Sequence, residues 1–212
     1  MKTILVFDHP YTLSASHNKE HNRSYSAALA QQAINDLQAA GHSVDIIDLQ
    51  ADHFDPVIRK QDLLNWRTKD FVDPISQDYF ERLKIADEII FVFPIWWEMM
   101  PAMTKGFIDK VFAKGQIKEI AGHRILLPNK TRIRVLTAIG TPNTIYRWHY
   151  GDPVGKMLKR GVFGKMGIKD FKIVNFNAED RNAKQRNNDL KKNQSNYFIS
   201  YLTNKNQSKL NH

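Results

Sequence analysis

The 212-residue chain has no cysteine. A disulfide framework, a thiolate nucleophile and a thiolate metal site are all excluded by that one absence. The loop after the first predicted strand, residues 8–26, contains no Gly-x-Gly-x-x-Gly and no Walker lysine, which argues against the Rossmann dinucleotide and P-loop classes. No Gly-x-Ser-x-Gly elbow occurs. The eight histidines are dispersed, and His17 and His21, at a spacing of four, fall in a predicted loop, so no metal constellation stands out. No apolar run reaches the roughly 18 residues that a membrane span needs. The apolar start, Met1 to Asp8, is too short for a signal peptide. The expectation is a cytoplasmic protein without stable membrane insertion.

Acidic residues are in deficit: 31 Lys and Arg face 22 Asp and Glu, a formal charge of +9. Much of the excess lies in the last third, from Lys156 through Lys172 and then Arg181 to Lys209. There the cations are scattered among Asn and Gln, with no compact stripe and no nucleic-acid reading motif. A solvated basic face is the expectation, not a nucleic-acid partner, and the same charge suits anionic dinucleotides. Hydrophobic residues at 42% and aromatic residues at 11% are globular values, enough for one domain with a normal core.

Strand-like and helix-like segments alternate along the chain. Strands are predicted over 3–7, 43–49, 88–93, 132–137 and 171–176, and helices over 24–40, 61–66, 75–85, 101–112, 152–162 and 183–202. That order predicts an α/β fold, a five-stranded parallel sheet with helices on both faces. One domain over 1–204 is expected, with a frayed basic tail at 205–212.

The most informative stretch runs from Phe91 to Phe112. Glu88 to Phe93 is apolar without alternation, as in a strand covered on both faces. The pattern breaks at Pro94, presents Trp96 and Trp97, and restarts as a helix with Pro101 near its first position and Gly115 where a C-terminal cap belongs. A loop of this kind sits at the carboxyl end of a sheet, where open α/β folds bind flat cofactors. The plainer alternative is that both tryptophans are core. Glu98 follows them, but no paired-carboxylate geometry is evident. The 8–26 loop gathers hydroxyls and imidazoles beside a helix N-terminus, a combination that binds an anion such as a flavin phosphate. His9 directly follows the first strand. After the fourth strand, Gly140 would let the backbone pass close to a planar ring.

Phe93-Pro-Ile-Trp-Trp-Glu and Pro101-Ala-Met-Thr-Lys-Gly-Phe-Ile-Asp-Lys-Val-Phe112 resemble the isoalloxazine-binding segment of the NAD(P)H:quinone oxidoreductases, the flavodoxin-like flavoproteins that include DT-diaphorase. The likeness covers most of residues 2 to 176. It implies a flavodoxin-like sheet, a non-covalent flavin (FMN or FAD), NAD(P)H as hydride donor, a quinone-like acceptor, ping-pong turnover and a homodimer with the site at its interface. It places Pro94, Ile95, Trp96 and Trp97 against the flavin, with backbone N–H groups from Pro94 onward stabilising the N1/O2 edge of the reduced ring. In the first loop, His9 and Ser24-Tyr25-Ser26 match the family's His and Ser-aromatic-small positions, although the loop is longer and Ser26 stands where Asn is frequent. A second alignment puts Ser16 at the phosphate. Thr137, Ala138, Ile139 and Gly140 match the segment contacting the pyrimidine side, with Ala-Ile where Thr-Gly is usual. Tyr146 and His149 match the family's catalytic pair, which would assist proton movement. The alternative that this fold allows is a flavin-binding ancillary subunit of a potassium efflux system. A one-electron carrier like flavodoxin is disfavoured by the basic charge.

Overall fold

Period-two burial along the strands explains why this chain forms a three-layer structure. In the computed structural model, which describes residues 1–17, 19–68, 72–113, 127–128, 130–177, 184–185, 188 and 191, the strands are β1 (Lys2–Phe7), β2 (Ser43–Asp48), β3 (Glu88–Ile95), β4 (Arg132–Ile139) and β5 (Phe171–Asn177). They form one parallel sheet in the order β2-β1-β3-β4-β5. Ile4, Val6, Ile89, Phe91, Phe93, Ile133 and Val135 enter one core. Their neighbours Leu5, Phe7, Ile90, Val92, Leu136 and Ala138 enter another. Successive side chains of a strand point to opposite faces, so a continuous apolar run needs a cover on each side.

The helices are α1 (Tyr25–Ala39), α2 (Lys60–Thr68), α3 (Pro74–Lys84), α4 (Ala102–Val111), α5 (Asn143–Trp148) and α6 (Pro153–Lys156), the last continuing as π-helix over Met157–Phe163. Leu29, Ala30, Ala33, Ile34 and Leu37 of α1 seal one core. Tyr79, Phe80 and Leu83 of α3, Phe107 and Val111 of α4, and Phe163 seal the other. Phe107 packs edge-on against Phe91 and Phe112, with centroids 5.8 Å apart in both pairs.

The five predicted strands and the first five predicted helices are present, with ends displaced by a residue or two, and α5 is a helix that the sequence pattern does not predict. One displacement is a correction: β3 does not break at Pro94 but runs through it to Ile95. In a parallel strand, N–H groups face alternate neighbours. The Val92 carbonyl accepts from the Asp8 amide on the β1 side, so Pro94 faces that side too. The β1–β3 register ends at Phe7 opposite Val92, so the missing Pro94 N–H removes no ladder bond. Gly115 and the apolar stripe of the predicted 183–202 helix lie outside the described residues, as does the 205–212 tail. Within that helix only Lys184, Gln185, Asn188 and Lys191 are described, all helical and exposed.

Lys110 of α4 ties one cover together. It is 5% exposed and its Nζ lies 2.9 Å from the Asp73 carboxylate, 3.9 Å from Asp62 and 2.9 Å from the Asp55 carbonyl. The ammonium also stands over the Phe54 ring at 5.5 Å. Asp73 meanwhile caps α3 by accepting from the Ser76 amide at 2.8 Å. Lys110→Met is expected to lower unfolding free energy by about 3 kcal/mol. That is the lower end for breaking a buried pair, because Asp73 keeps a quarter of its side chain in water. Urea unfolding checks this, and a loss below about 1 kcal/mol would show the pair to be energetically idle.

Candidate active site

The carboxyl ends of β1, β3 and β4 converge on one edge, and the loops leaving them carry the residues singled out in the sequence. Asp8 and His9 leave β1. Asp8 is buried and turns across to α4, where its Oδ2 accepts from the Thr104 amide at 2.7 Å and the Thr104 hydroxyl at 2.5 Å. Burial raises its pKa above the usual carboxylate value, opposed by the Thr104 bonds. His9 is half-buried, with its ring centroid 5.6 Å from Tyr11 and 6.2 Å from Trp96. The Tyr11 amide donates to its Nδ1 at 3.0 Å. That bond assigns the proton of the neutral ring to Nε2, and burial lowers its pKa below 6.5.

The Trp96–Met99 segment is a two-residue hairpin. Trp96 and Met99 exchange both backbone bonds at 3.0 Å, and the central residues Trp97 and Glu98 have φ of 50° and 60°. Positive φ at both positions is the geometry of a type I′ turn, which normally demands Gly or Asn. Trp97 is held in the open at 98% exposure and Trp96 is exposed beside it. Neither is core. The Trp96 amide is spent within the hairpin and Pro94 has no N–H. The backbone donors expected from Pro94 onward are therefore those of Trp97 and Glu98, whose amides have no hydrogen-bond partner among the described residues.

In the first loop, Leu13–His17 forms a 3₁₀ turn packed on the start of α1. The Ser24 amide donates to the Ala15 carbonyl at 3.2 Å. Ser16 thus lies one residue from the contact that holds Ser24, and the two alternative phosphate segments meet at one place. Ser24 itself is the N-cap of α1, its Oγ accepting from the Ala27 amide at 3.1 Å. Tyr25 and Ser26 are buried, Tyr25 within the α1-side core. Their side chains support the helix start, while half-buried Ser16 keeps exposed surface.

Thr137, Ala138 and Ile139 belong to β4, all buried. Ala138 and Ile139 enter opposite cores, and the Thr137 hydroxyl donates to Asn175 Oδ1 at 2.7 Å. Only Gly140 opens outward, with nothing within 4 Å of where a Cβ would stand. Thr141 then reaches across the site, its hydroxyl donating to Glu98 Oε1 at 2.6 Å. Tyr146 is placed inward. It is 0% exposed in the core, and its hydroxyl accepts from the Val154 amide at 3.2 Å. Burial pushes its pKa up to about 12. In this position Tyr146 anchors α5 to the following helix. His149 is exposed, its ring edge-on to Tyr150 at 4.9 Å. Asp8, Tyr11 and Thr141, which no sequence motif marks, also contact residues of this edge. An acid directly after a fully buried strand was the available signal for Asp8.

The exposed indoles, the open face at Gly140 and the two unpartnered amides fit a planar ring with an anionic edge. No group of three or more acidic or imidazole side chains suited to a metal occurs among the described residues. The family model for the flavodoxin-like fold matches residues 1–198. The chain belongs to that family. It is 38% identical over 145 residues to the uncharacterized NAD(P)H oxidoreductase YcaK of Escherichia coli K12, covering 65% of this chain and 71% of YcaK. It is 28% identical over 130 residues to the ribosyldihydronicotinamide dehydrogenase-like protein traD of Penicillium crustosum, covering 54% of this chain but 45% of that protein's length. The solved Smu.1420 of Streptococcus mutans UA159 superposes with a TM-score of 0.70 at 27% identity, over 92% of this chain and 97% of that one. An FMN-dependent NADH-azoreductase from Bacillus anthracis, solved with FMN, shares the fold at TM-score 0.63 and 20% identity, over 92% and 97% of the two chains.

His9 yields a pH prediction for the protein itself. Its folded pKa is depressed, so the stability it contributes is present above the ordinary value of 6.5 and is lost as pH falls through the lower folded value. Nitrogen-detected NMR should find His9 neutral at pH 7 with the proton on Nε2. Titration at or above 6.5 would show that burial does not govern this ring.

Proposed function

We propose that the chain is a flavin-dependent NAD(P)H oxidoreductase of the cytoplasm that reduces quinones or similar acceptors. FMN or FAD would be held non-covalently over the carboxyl ends of β1, β3 and β4. The observation that carries this reading is the glycine-free hairpin at Trp96–Met99. Two non-glycine residues at positive φ cost of order 1–3 kcal/mol each, and they hold an indole in water with free amides beside it. Strain of that kind is kept where a ligand uses it. The enzyme names of the relatives agree.

In this reading Trp96 and Trp97 wall the ring, and Gly140 leaves the β4 side open to it. The amides of Trp97 and Glu98 would donate to its N1/O2 edge, as preorganised dipoles suited to negative charge there. Ser16 and the α1 N-terminus capped by Ser24 take the phosphate. Neutral His9 offers Nε2–H at the site edge. His149, exposed and unconfined, handles the proton that accompanies reduction. A bound flavin supplies the hydride and electron chemistry. Donor and acceptor take turns in one pocket, which gives ping-pong kinetics. Trp97, Trp148 (87% exposed) and Tyr150 are exposed aromatic side chains suited to the core of a homodimer interface that completes the pocket.

Purified protein should release a flavin on heating and turn over NAD(P)H with a soluble quinone. His149→Ala should slow flavin reduction by roughly 10²–10⁴-fold without changing flavin content. A protein that binds neither FMN nor FAD when they are added sinks the reading.

Trp97→Ala separates a site residue from a core residue. Its indole buries nothing within the chain, so the urea midpoint of flavin-free protein should stay within about 0.5 kcal/mol of the parent, as for other surface changes. Flavin affinity should fall by at least the roughly 1 kcal/mol of an aromatic contact. Light scattering at micromolar concentration should give a dimer for the parent. Full activity from a monomer would remove the interface part of the reading.

A further inference from the structure

A basic groove of about 540 Å³ lies beside β5, at the edge of the sheet. It is away from the 3₁₀ turn and α1, which frame the first loop beside β1. One wall is the helix from Pro153 to Phe163, which contributes Lys156, Lys159 and Arg160. Arg147 of α5 and Lys172 of β5 also line it, and apolar floor comes from Phe171, Ile173 and Val174. Lys156, Lys159 and Arg160 are spaced three and four apart, so they share a helix face. The second half of that helix is wound as π, a form concentrated at functional sites.

Among the described residues, four of the five cations here lack the carboxylate partners that several cations elsewhere in the chain have. Arg59, Arg82, Lys105, Lys110 and Arg134 all have carboxylate partners. The side chains of Arg147, Lys156, Lys159 and Arg160 make no hydrogen bond or ion pair with another described residue. The single carboxylate in the lining, Asp152, is turned onto Gly155, where it would collide with a Cβ. Like charges crowded in a concavity repel and raise the local concentration of anions. The volume is that of a small-molecule site, and a flat lipid surface does not enter a groove. Apolar floor beside cationic rim suits a ligand with one phosphorylated end and one less polar end.

We propose that this groove is a second ligand site, for a phosphorylated small molecule carrying at least two negative charges. It stands independently of the flavin reading. Arg147 is the neighbour in sequence of Tyr146 and Trp148, so a ligand held here bears directly on the helix that carries the site's outer aromatic.

The test is calorimetry of the full chain with inorganic pyrophosphate at constant ionic strength. Excess FMN in both solutions keeps any flavin phosphate site filled. One pyrophosphate per chain is expected. In the Lys156→Glu/Arg160→Glu variant, affinity should fall at least tenfold, the loss expected from two charge-assisted bonds, with thermal midpoint and flavin content unchanged. The Lys165→Glu/Lys169→Glu variant carries the same charge change at exposed positions outside the groove and should keep parental affinity. Equal losses in the two variants would mean bulk charge attraction and overturn the proposal. So would absent binding to the parent, or tighter binding of a ten-residue oligoglutamate than of pyrophosphate.

Discussion

The Asp8 carboxylate determines how this edge of the protein is built. α4 begins after Pro101, which has no side chain able to cap a helix. Its first amides would be left unsatisfied beside a buried sheet, at a cost comparable to a lost hydrogen bond for each. Asp8 supplies the cap from the end of β1, taking both the amide and the hydroxyl of Thr104 across 96 positions of sequence. Burying a carboxylate is unfavourable, and the neighbouring Asp48 charge adds to the penalty. Two short bonds and the positive end of α4 offset it. With β3 and α4 both pinned, the six residues between Ile95 and Ala102 have little freedom. The Trp96–Met99 hairpin is what fits that gap, and it turns its indoles outward.

Asp48 performs a related task for the first loop. Its Oδ2 accepts from the Leu13 amide at 2.8 Å and its Oδ1 from the Ala51 amide at 3.1 Å. The end of β2 thereby fixes the 3₁₀ turn, and the 3₁₀ turn fixes Ser24 through Ala15. Two buried carboxylates thus convert strand ends into rigid supports for loops, as a preorganised site requires.

Legibility in the sequence followed the range of the interaction. Strands such as Glu88–Ile95, apolar throughout, announce themselves because burial on both faces acts on every residue. The convergence of three loops was readable because parallel strands place their carboxyl ends together. What could not be read depended on distant partners or on overruled local preferences. No sequence window contains both Asp8 and Thr104. Turn chemistry assigns positive φ to Gly or Asn, whereas here Trp97 and Glu98 adopt it under tertiary constraint. Pro94 looked like a strand end because the residue-level rule ignores which neighbour its missing N–H would face.

Tyr146 shows the limit of transferring a role by position. α5 spans six residues, less than two turns, too short for periodicity to reveal a face. Its sequence Asn-Thr-Ile-Tyr-Arg-Trp offers three large apolar residues for one inward place. The structure gives that place to Tyr146, whose hydroxyl then satisfies the Val154 amide at the start of the next helix. Ile145 and Trp148 are left on the outside. A tyrosine buried this way locks α5 to α6, and that lock sets where Trp148 and His149 stand. The position of this loop therefore depends on Tyr146 through packing, and the side chains its burial turns outward are those of Ile145 and Trp148.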